Sequence, residues 1–335
     1  MPPSICLIAG DNHTPHCGVK DYAIGLATAL ERIGMRAELM APPDWSMQSF
    51  LRFCGELRQR NFDIVHVHYP SIGHRHSLCP HLLGTMKVAK KAVVTLHEYT
   101  YMPILQRAST HVFRLTADLL LFTTEAELTR YGRSGVPRRV IHVGSSIPAC
   151  SLDPPRSPTV LYFGQIRPEK GLEEFFELAR RSLQLGRPYN FRVIGSVPPR
   201  RSDFYRDMRA RSDPGIEWLM NLPSEQVSEL MTSSLAAYLP FPDGASYRRT
   251  SLLAALTNGL PVITTIGPAT PREMIDVLLP ATGPCDALVH LERLNSCSAD
   301  LHAYSSKGRS FAEKFSWAEI ARQHEQAYME ALSID

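Results

Sequence analysis

No stretch of this chain approaches the ~20 consecutive apolar residues that cross a bilayer, so no membrane-spanning segment is expected. No Cys-x-x-Cys pair occurs either. The seven cysteines, Cys6, Cys17, Cys54, Cys79, Cys150, Cys285 and Cys297, are scattered and odd in number. That speaks against a disulfide framework and for reduced thiols in a cytoplasmic protein. The first residues carry no basic segment, and the apolar run 5–9 is too short for a signal core. An excess of one charge sign is missing as well. The 36 Lys and Arg residues against 33 Asp and Glu leave a net charge of +3. The cations are spread, with local pairs such as Arg138-Arg139 and Arg200-Arg201, so no nucleic-acid groove is expected. Peripheral contact with a membrane surface is compatible with all of this.

What is present is the material of a globular enzyme. Of the 335 residues, 44% are hydrophobic and 21% charged, which suits two folded domains rather than one or a disordered chain. Short apolar runs at 5–9, 36–40, 63–68, 91–97, 118–123 and 139–143 read as strands. Between the first two, Val19, Tyr22, Leu26, Leu30 and Ile33 recur at helical spacing and Gly34 ends the segment. Residues 147–158 hold Pro148, Pro154, Pro155 and Pro158 without periodicity and read as a linker. The alternation restarts with strands at 159–163, 191–194, 216–219, 235–239 and 261–265, and a helix whose stripe is Leu172, Phe175, Phe176, Ala179 and Leu183. Strands alternating with helices predict an α/β fold of two Rossmann-like, doubly wound parallel-sheet domains facing across a cleft. The expected division is 1–150, 151–312 and a C-terminal helix, 313–335, returning to the first domain.

The loop Gly164-Gln165-Ile166-Arg167-Pro168-Glu169-Lys170-Gly171 leaves a strand and opens a helix. A helix N-terminus offers unpaired N–H groups and a positive dipole end. Arg167 and Lys170 add two cations there, and Gly164 and Gly171 let the backbone come close to a ligand. A diphosphate is the natural occupant; a surface turn with two solvated cations is the bland alternative.

This stretch resembles the Gly-x-Ile-Arg-x-x-Lys-Gly form of a motif in family-4 retaining glycosyltransferases of the GT-B fold. Other matches follow in order: Cys17-Gly18-Val19-Lys20-Asp21-Tyr22 at a first Gly loop, Asp63-Ile-Val-His-Val-His-Tyr-Pro70 and Thr95-Leu-His-Glu-Tyr99 at strand ends, Gly259-Leu-Pro-Val262, and Phe315-Ser-Trp317 before a last helix. The resemblance implies that Arg167 and Lys170 contact the donor diphosphate. It places Gly18, Gly164 and Gln165 at the donor and the base near Met220-Asn221-Leu222. Gln165 stands where the commoner family version has Arg.

One departure concerns the donor sugar. The family carries two glutamates with seven residues between them before Gly-x-Pro-Val, the second of which binds the ribose. Counted back from Gly259, their positions are Ser246 and Ala254. Anchored instead on Asp243-Gly244-Ala245-Ser246, they are Asp243 and Ser251, with Tyr247-Arg248-Arg249 as extra residues. In neither register is there a carboxylate at the ribose. Arg248 and Arg249, read as the start of a helix, would add phosphate contacts, with at most one facing the cleft.

The resemblance implies that His97 lies beside the donor sugar and stabilises charge developing at the anomeric carbon. His66 and His68, two apart on a strand, share a face. His66 is expected within the sheet, and His68 and Tyr69 near the acceptor. His13, His16, Lys20 and Glu98 are further acceptor-side candidates. His66, His68, His74, His76, Cys79 and His81 invite a zinc reading, but their spacing matches no closed zinc pattern.

The resulting expectation is a metal-independent, retaining transfer of a sugar from a nucleotide-diphosphate sugar to an acceptor hydroxyl, without a cofactor. The acceptor is a glycan, a lipid-linked sugar or a small molecule. The alternatives are a GT-B protein that binds a nucleotide sugar without catalysis and a GT-B epimerase, the latter disfavoured by the scarcity of cleft carboxylates.

Overall fold

A computed structural model describes residues 2–13, 17–74, 77–152, 154–168, 170–187, 189–198 and 201–334. The order is β1 (Ser4–Ile8), α1 (Gly18–Arg32), β2 (Arg36–Met40), α2 (Met47–Arg60), β3 (Phe62–Tyr69), α3 (Cys79–Leu82), β4 (Ala89–Leu96), α4 (Ile104–Ser109), α5 (Phe113–Thr116), β5 (Leu119–Phe122), α6 (Glu125–Tyr131) and β6 (Arg138–Val140). It continues with β7 (Ser157–Gln165), α7 (Leu172–Gln184), β8 (Asn190–Ser196), α8 (Ser202–Arg211), β9 (Ile216–Met220), α9 (Ser224–Thr232), β10 (Ser234–Leu239), α10 (Thr250–Thr257), β11 (Val262–Thr264), α11 (Arg272–Ile275), β12 (Leu279–Pro280), α12 (Pro284–Ser296), α13 (Ser298–Ala312) and α14 (Trp317–Ser333). Two compact units result: residues 1–144 with 315–335, and residues 145–314.

The first unit is built on a six-stranded parallel sheet ordered β2-β1-β3-β4-β5-β6. Its strands alternate strictly. Val65, Val67 and Tyr69 of β3 enter one core layer with Phe50, Phe53 and Phe113. Ile64 enters the other, with Tyr22, Leu26 and Leu30 of α1 and Ile320, Ala327 and Tyr328 of α14. The period of two along the strand thus sends His66 and His68 toward α1 and α14. The last helix begins where its sequence dictates: Ser316 accepts a hydrogen bond from the Glu319 amide, the capping arrangement of a Ser-x-x-Glu start. Such a cap contributes about 1 kcal/mol.

The second unit repeats the architecture with the order β12-β11-β10-β7-β8-β9, again parallel in every pair. Its core gathers Tyr162, Phe175, Leu178, Val193, Tyr238 and Ile263. The expected stripe on α7 needs one correction. Leu183 is 67% exposed, while Leu178 and Ser182 are buried; the buried face runs through Phe175 and Ser182, and Leu183, one residue on from Ser182, is turned about 100° from it. The Pro-rich 147–156 segment has no helix or strand among its described residues. It is pinned by Arg156, which donates to the carbonyls of Ser234 and Gly259.

In both sheets the strand order reverses beside the first strand, between β1 and β3 in one and between β7 and β10 in the other. Open α/β sheets bind ligands beyond the carboxyl ends of strands at such reversals.

Candidate functional site

In the second unit, β7 runs through Gly164 and Gln165 and delivers Ile166, which is fully buried, and Arg167, which is exposed. The Ile166 amide donates to the Ser196 carbonyl at 2.9 Å. Ile166 therefore anchors the loop while Arg167 is carried outward. Lys170 and Gly171 precede α7, whose first turn begins at Leu172. The Lys170 carbonyl is fixed by the Tyr162 hydroxyl at 3.1 Å. The loop is thus held at both ends, at the sheet reversal, with a 13-residue helix behind it. Gly195 is required by the same packing, because a Cβ there would stand 1.9 Å from the Gly164 carbonyl oxygen.

Gly171 departs from the expectation of close ligand approach. Its φ is +75°, and a Cβ would lie 2.0 Å from the carbonyl oxygen of Pro240. What comes close there is the chain itself. A Cβ on Gly164, by contrast, would meet nothing within 4 Å.

The segment after β10 also differs from the sequence reading. Asp243 lies four residues past Leu239, the strand's last residue, in a turn closed by the Gly244 amide on the Phe241 carbonyl at 2.9 Å. Arg248 and Arg249 are not on a helix: α10 starts at Thr250 and Arg249 is its N-cap. Arg249 pairs with Asp243, and its guanidinium lies 4.4 Å from the centre of the Phe241 ring. The carboxylate that sequence spacing offers to the donor is therefore neutralised within its own loop. Ser246, beside the buried Ala245, is half-buried, as are Tyr247 and Arg248. A second tie runs from the Tyr247 hydroxyl to Glu273, which also accepts from Lys314 at 2.8 Å.

The two ribose registers separate by burial. Ala254 is fully buried in the core face of α10, whereas Ser251 lies half-buried in the helix's first turn. A residue sealed in the core cannot meet a ribose, so the geometry favours the register that uses Ser251. At the edge strand β9, Met220 packs against the core and Asn221 is exposed with φ +58°, its amide on the Gly195 carbonyl at 2.8 Å. Leu222 is half-buried beside them.

In the first unit a buried polar cluster lies on the α1 and α14 side of the sheet. His66 contacts the Tyr328 hydroxyl through Nδ1 and the Thr95 hydroxyl through Nε2, each at 2.7 Å. His68 stacks obliquely on His66 with ring centres 4.2 Å apart, and its Nδ1 lies 3.2 Å from Nε2 of His97. Tyr22 of α1 closes the cluster, with ring centres 5.7 Å from His68 and 5.3 Å from His97. The His324 ring centre lies 5.7 Å from that of His66 and 6.5 Å from that of Tyr22, and its Nδ1 is 2.8 Å from the Ile320 carbonyl. A carbonyl only accepts, so Nδ1 carries that proton.

Burial sets the charge of these rings. It depresses the His97 pKa to about 3 and that of His324 to about 4, with neighbouring His324 adding to the effect on His97. His66 and His68 are pushed well below the ordinary imidazole value, first by burial and then by their histidine neighbours. All four are neutral at pH 7.

Several acceptor-side expectations are corrected. His68 is fully buried beneath His97 rather than open at the strand end. Tyr69 is 3% exposed on the opposite face, stacked on His74 and packed edge-on against His81 and Phe113. The strand's alternation forbids the two from sharing a ligand. Glu98 is exposed, at φ +52°. Lys20 donates to the Asp11 carbonyl at 2.9 Å, and the His13 amide donates to the Asp11 carboxylate at 3.0 Å. Gly18 opens α1 with free space where a Cβ would stand. His16 and His76 lie outside the described residues. Among the described residues, no group of three or more His, Cys, Asp or Glu side chains could hold a metal ion; His74 and His81 are spent on packing beside Tyr69.

Tyr22, His324 and Tyr328 were not singled out by sequence. Helical periodicity marked Tyr22 as core, but nothing in the sequence places residues 324 and 328 against residue 66. Phe241, beneath Arg249, left no signal either.

Residues 157–290 match the family model described as Glycosyl transferases group 1. No curated protein is significantly similar to the chain in sequence. Among solved structures, a glycosyltransferase from Rickettsia africae is 14% identical with a TM-score of 0.74, covering 100% of both chains. HepE from Anabaena, solved with UDP and glucose, is 12% identical with a TM-score of 0.69, covering 98% of this chain and 100% of its own. The catalytic domain of starch synthase IV from Arabidopsis thaliana, bound to ADP and acarbose, is 13% identical with a TM-score of 0.64, covering 100% of both chains. Two parallel six-stranded α/β units with these likenesses have the GT-B fold, and the second of them carries the match to group 1 glycosyl transferases.

Proposed function

We propose that the chain is a glycosyltransferase that takes a sugar from a nucleotide-diphosphate sugar and passes it, with retention, to an acceptor hydroxyl. The observation that carries this reading is the Gly164–Gly171 loop. It presents Arg167, Lys170 and the N-terminus of α7 at the sheet reversal, inside the stretch that matches group 1 glycosyl transferases. Complexes of two structural neighbours with UDP and glucose and with ADP and acarbose agree with a nucleotide-sugar donor.

The chemistry follows from charge. As the bond between the anomeric carbon and the diphosphate lengthens, negative charge grows on the leaving phosphate. Arg167, Lys170 and the amides of the first turn of α7 stabilise it. Those charges answer the need that a divalent metal meets elsewhere, so the reading requires none. The acceptor attacks from the face the diphosphate leaves, and a departing phosphate oxygen takes the acceptor proton. His97, neutral by burial, orients the donor sugar through Nδ1 or its carbonyl, since Nε2 faces His68.

The test is a panel of nucleotide sugars assayed for hydrolysis and transfer with and without chelator. Lys170→Ala should lower kcat/KM on the order of 10²-fold or more. Full turnover with unchanged donor affinity would defeat the phosphate assignment. A second reading, binding without catalysis, draws on the Asp243–Arg249 pair and the absence of an acid at Ser251. Tight donor binding without transfer or hydrolysis would favour it.

A further inference from the structure

The reversal of strand order in the second unit gathers more positive charge than the Gly164–Gly171 loop supplies. The N-terminus of α7 touches the end of β10, since a Cβ on Gly171 would stand 2.0 Å from the Pro240 carbonyl oxygen. Tyr162 of β7 reports what surrounds that contact. Its hydroxyl donates to the Lys170 carbonyl at 3.1 Å. Burial first, then Glu173, raise the pKa of that hydroxyl, and Arg167 and Arg249 both pull it down. One hydroxyl, bonded to the main chain of Lys170, thus feels both guanidiniums. Arg249 reaches it from the other side of the reversal, the segment after β10.

Arg249 has the wrong sign for its place. It is the N-cap of α10, whose first turn holds no acid, and a helix N-terminus favours anions over cations. The anion that resolves this is Asp243. Its carboxylate pairs with the guanidinium, whose carbon lies over the Phe241 ring, 4.4 Å from the centre. The two partners are unequally held. The Arg249 side chain is 12% exposed and that of Asp243 60%. The turn that carries Asp243 is fixed at its backbone. The Ala245 amide donates to the Thr265 carbonyl at 3.0 Å, and the Thr270 hydroxyl donates to the Ala245 carbonyl at 2.7 Å. A Cβ on Gly244 would stand 2.3 Å from the Gly267 amide nitrogen. The pair therefore opens by rotation of the Asp243 side chain alone, with Arg249 left on Phe241 and facing whatever replaces the carboxylate.

We propose that Arg249 is a third cation for the donor diphosphate, and that Asp243 stands in for a phosphate while the site is empty. This deepens the proposed function and rests on it. The chemistry is an exchange of anions on one guanidinium. A phosphate offers that planar, forked donor the same paired oxygens as a carboxylate. It also brings the N-terminus of α10 the anion that its own first turn lacks. Asp243 meanwhile swings into water, where most of its side chain already stands. The reverse exchange serves release: once the sugar has left, Asp243 competes with the nucleoside diphosphate for Arg249 and hastens its departure.

The experiment is calorimetric titration of the full chain with inorganic pyrophosphate, UDP and ADP, which separates the phosphate contact from that of the base. Asp243→Asn, a change on an exposed side chain, should tighten binding of all three by up to about fivefold. Arg249→Gln should weaken it on the order of tenfold, and Arg249→Lys should fall between the two. The double variant decides how Asp243 acts. If it acts through Arg249, Asp243→Asn adds no affinity in the Arg249→Gln background. An equal gain there would mean that the carboxylate merely repels phosphate, and the proposal would be overturned. Unchanged affinity in both arginine variants, at wild-type Tm, would overturn it as well. So would a failure of Asp243→Asn to tighten binding, even if the arginine variants did not fold. Lys170→Ala separates this proposal from the reading beneath it. Probe binding that is lost with Lys170→Ala but indifferent to Arg249 refutes the third cation alone. Probe binding indifferent to both refutes the nucleotide-sugar site with it.

Discussion

Nε2 of His97 lies 3.2 Å from Nδ1 of His68, so one ring of this buried pair donates the proton that the other accepts. His68 thereby fixes both the tautomer and the orientation of the ring that the proposed reaction places beside the sugar. It acts as a positioning residue. His68→Leu should keep the fold, since it also removes the partnerless Nε2 of His68, and should lower kcat by about 10- to 100-fold with little change in donor KM. His68→Asn, whose amide can stand where Nδ1 stands, should restore much of the loss. Steady-state kinetics of the two variants, with nitrogen NMR of the His97 tautomer, decide the matter. Equal turnover by the Leu and Asn variants would reduce His68 to packing.

The same cluster sets a pH limit on stability. The pKa of His97 in the folded chain is about 3 and that of His324 about 4, against 6.5 for a free imidazole, and His66 and His68 are depressed as well. Above pH 6.5 these rings are neutral whether the chain is folded or unfolded, so the full stability is present. As pH falls below 6.5, the unfolded chain takes up protons that the folded chain refuses. Stability then drops until the folded-state values are reached. Each ring contributes up to about 1.4 kcal/mol per pH unit in that window. Urea unfolding between pH 7.5 and 5 should show a steep fall with more than one proton taken up on unfolding. A flat profile would mean that the cluster opens to water.

The sequence exposed this fold where periodicity and order sufficed. Strands at 36–40 and 216–219 were visible as apolar runs bounded by turns, and the structure places β2 at Arg36–Met40 and β9 at Ile216–Met220. The Gly164–Gly171 loop was visible because its residue types and its place between strand and helix were both local. What stayed hidden depends on distant partners. Asp243 read as a free acid because no rule of spacing tells that Arg249 folds back over Phe241 to neutralise it. Tyr69 read as a strand-end site residue because one register step, invisible without the facing helices, decides which layer receives it. The His66–Tyr328 contact joins residues 262 apart, beyond any local signal.

Gly171 and Gly186 flank the same helix, and their substitutions should part company. Both have left-handed backbone, with φ of +75° and +66°. Alanine in that region costs about 1–2 kcal/mol, so each change carries that strain. Around Gly186 a Cβ would meet nothing within 4 Å, whereas at Gly171 it would stand 2.0 Å from the Pro240 carbonyl oxygen. Relief of that clash requires the N-terminus of α7 to move away from the end of β10, and the Lys170 carbonyl, held by Tyr162, must follow. Gly186→Ala should therefore lose about 1–2 kcal/mol and keep donor affinity, whereas Gly171→Ala should lose about 1–3 kcal/mol more and weaken donor binding as well. Denaturant melts paired with nucleotide-sugar titrations would separate the two. If both variants lost the same stability and bound donor alike, the α7 N-terminus would not be the element that holds the diphosphate.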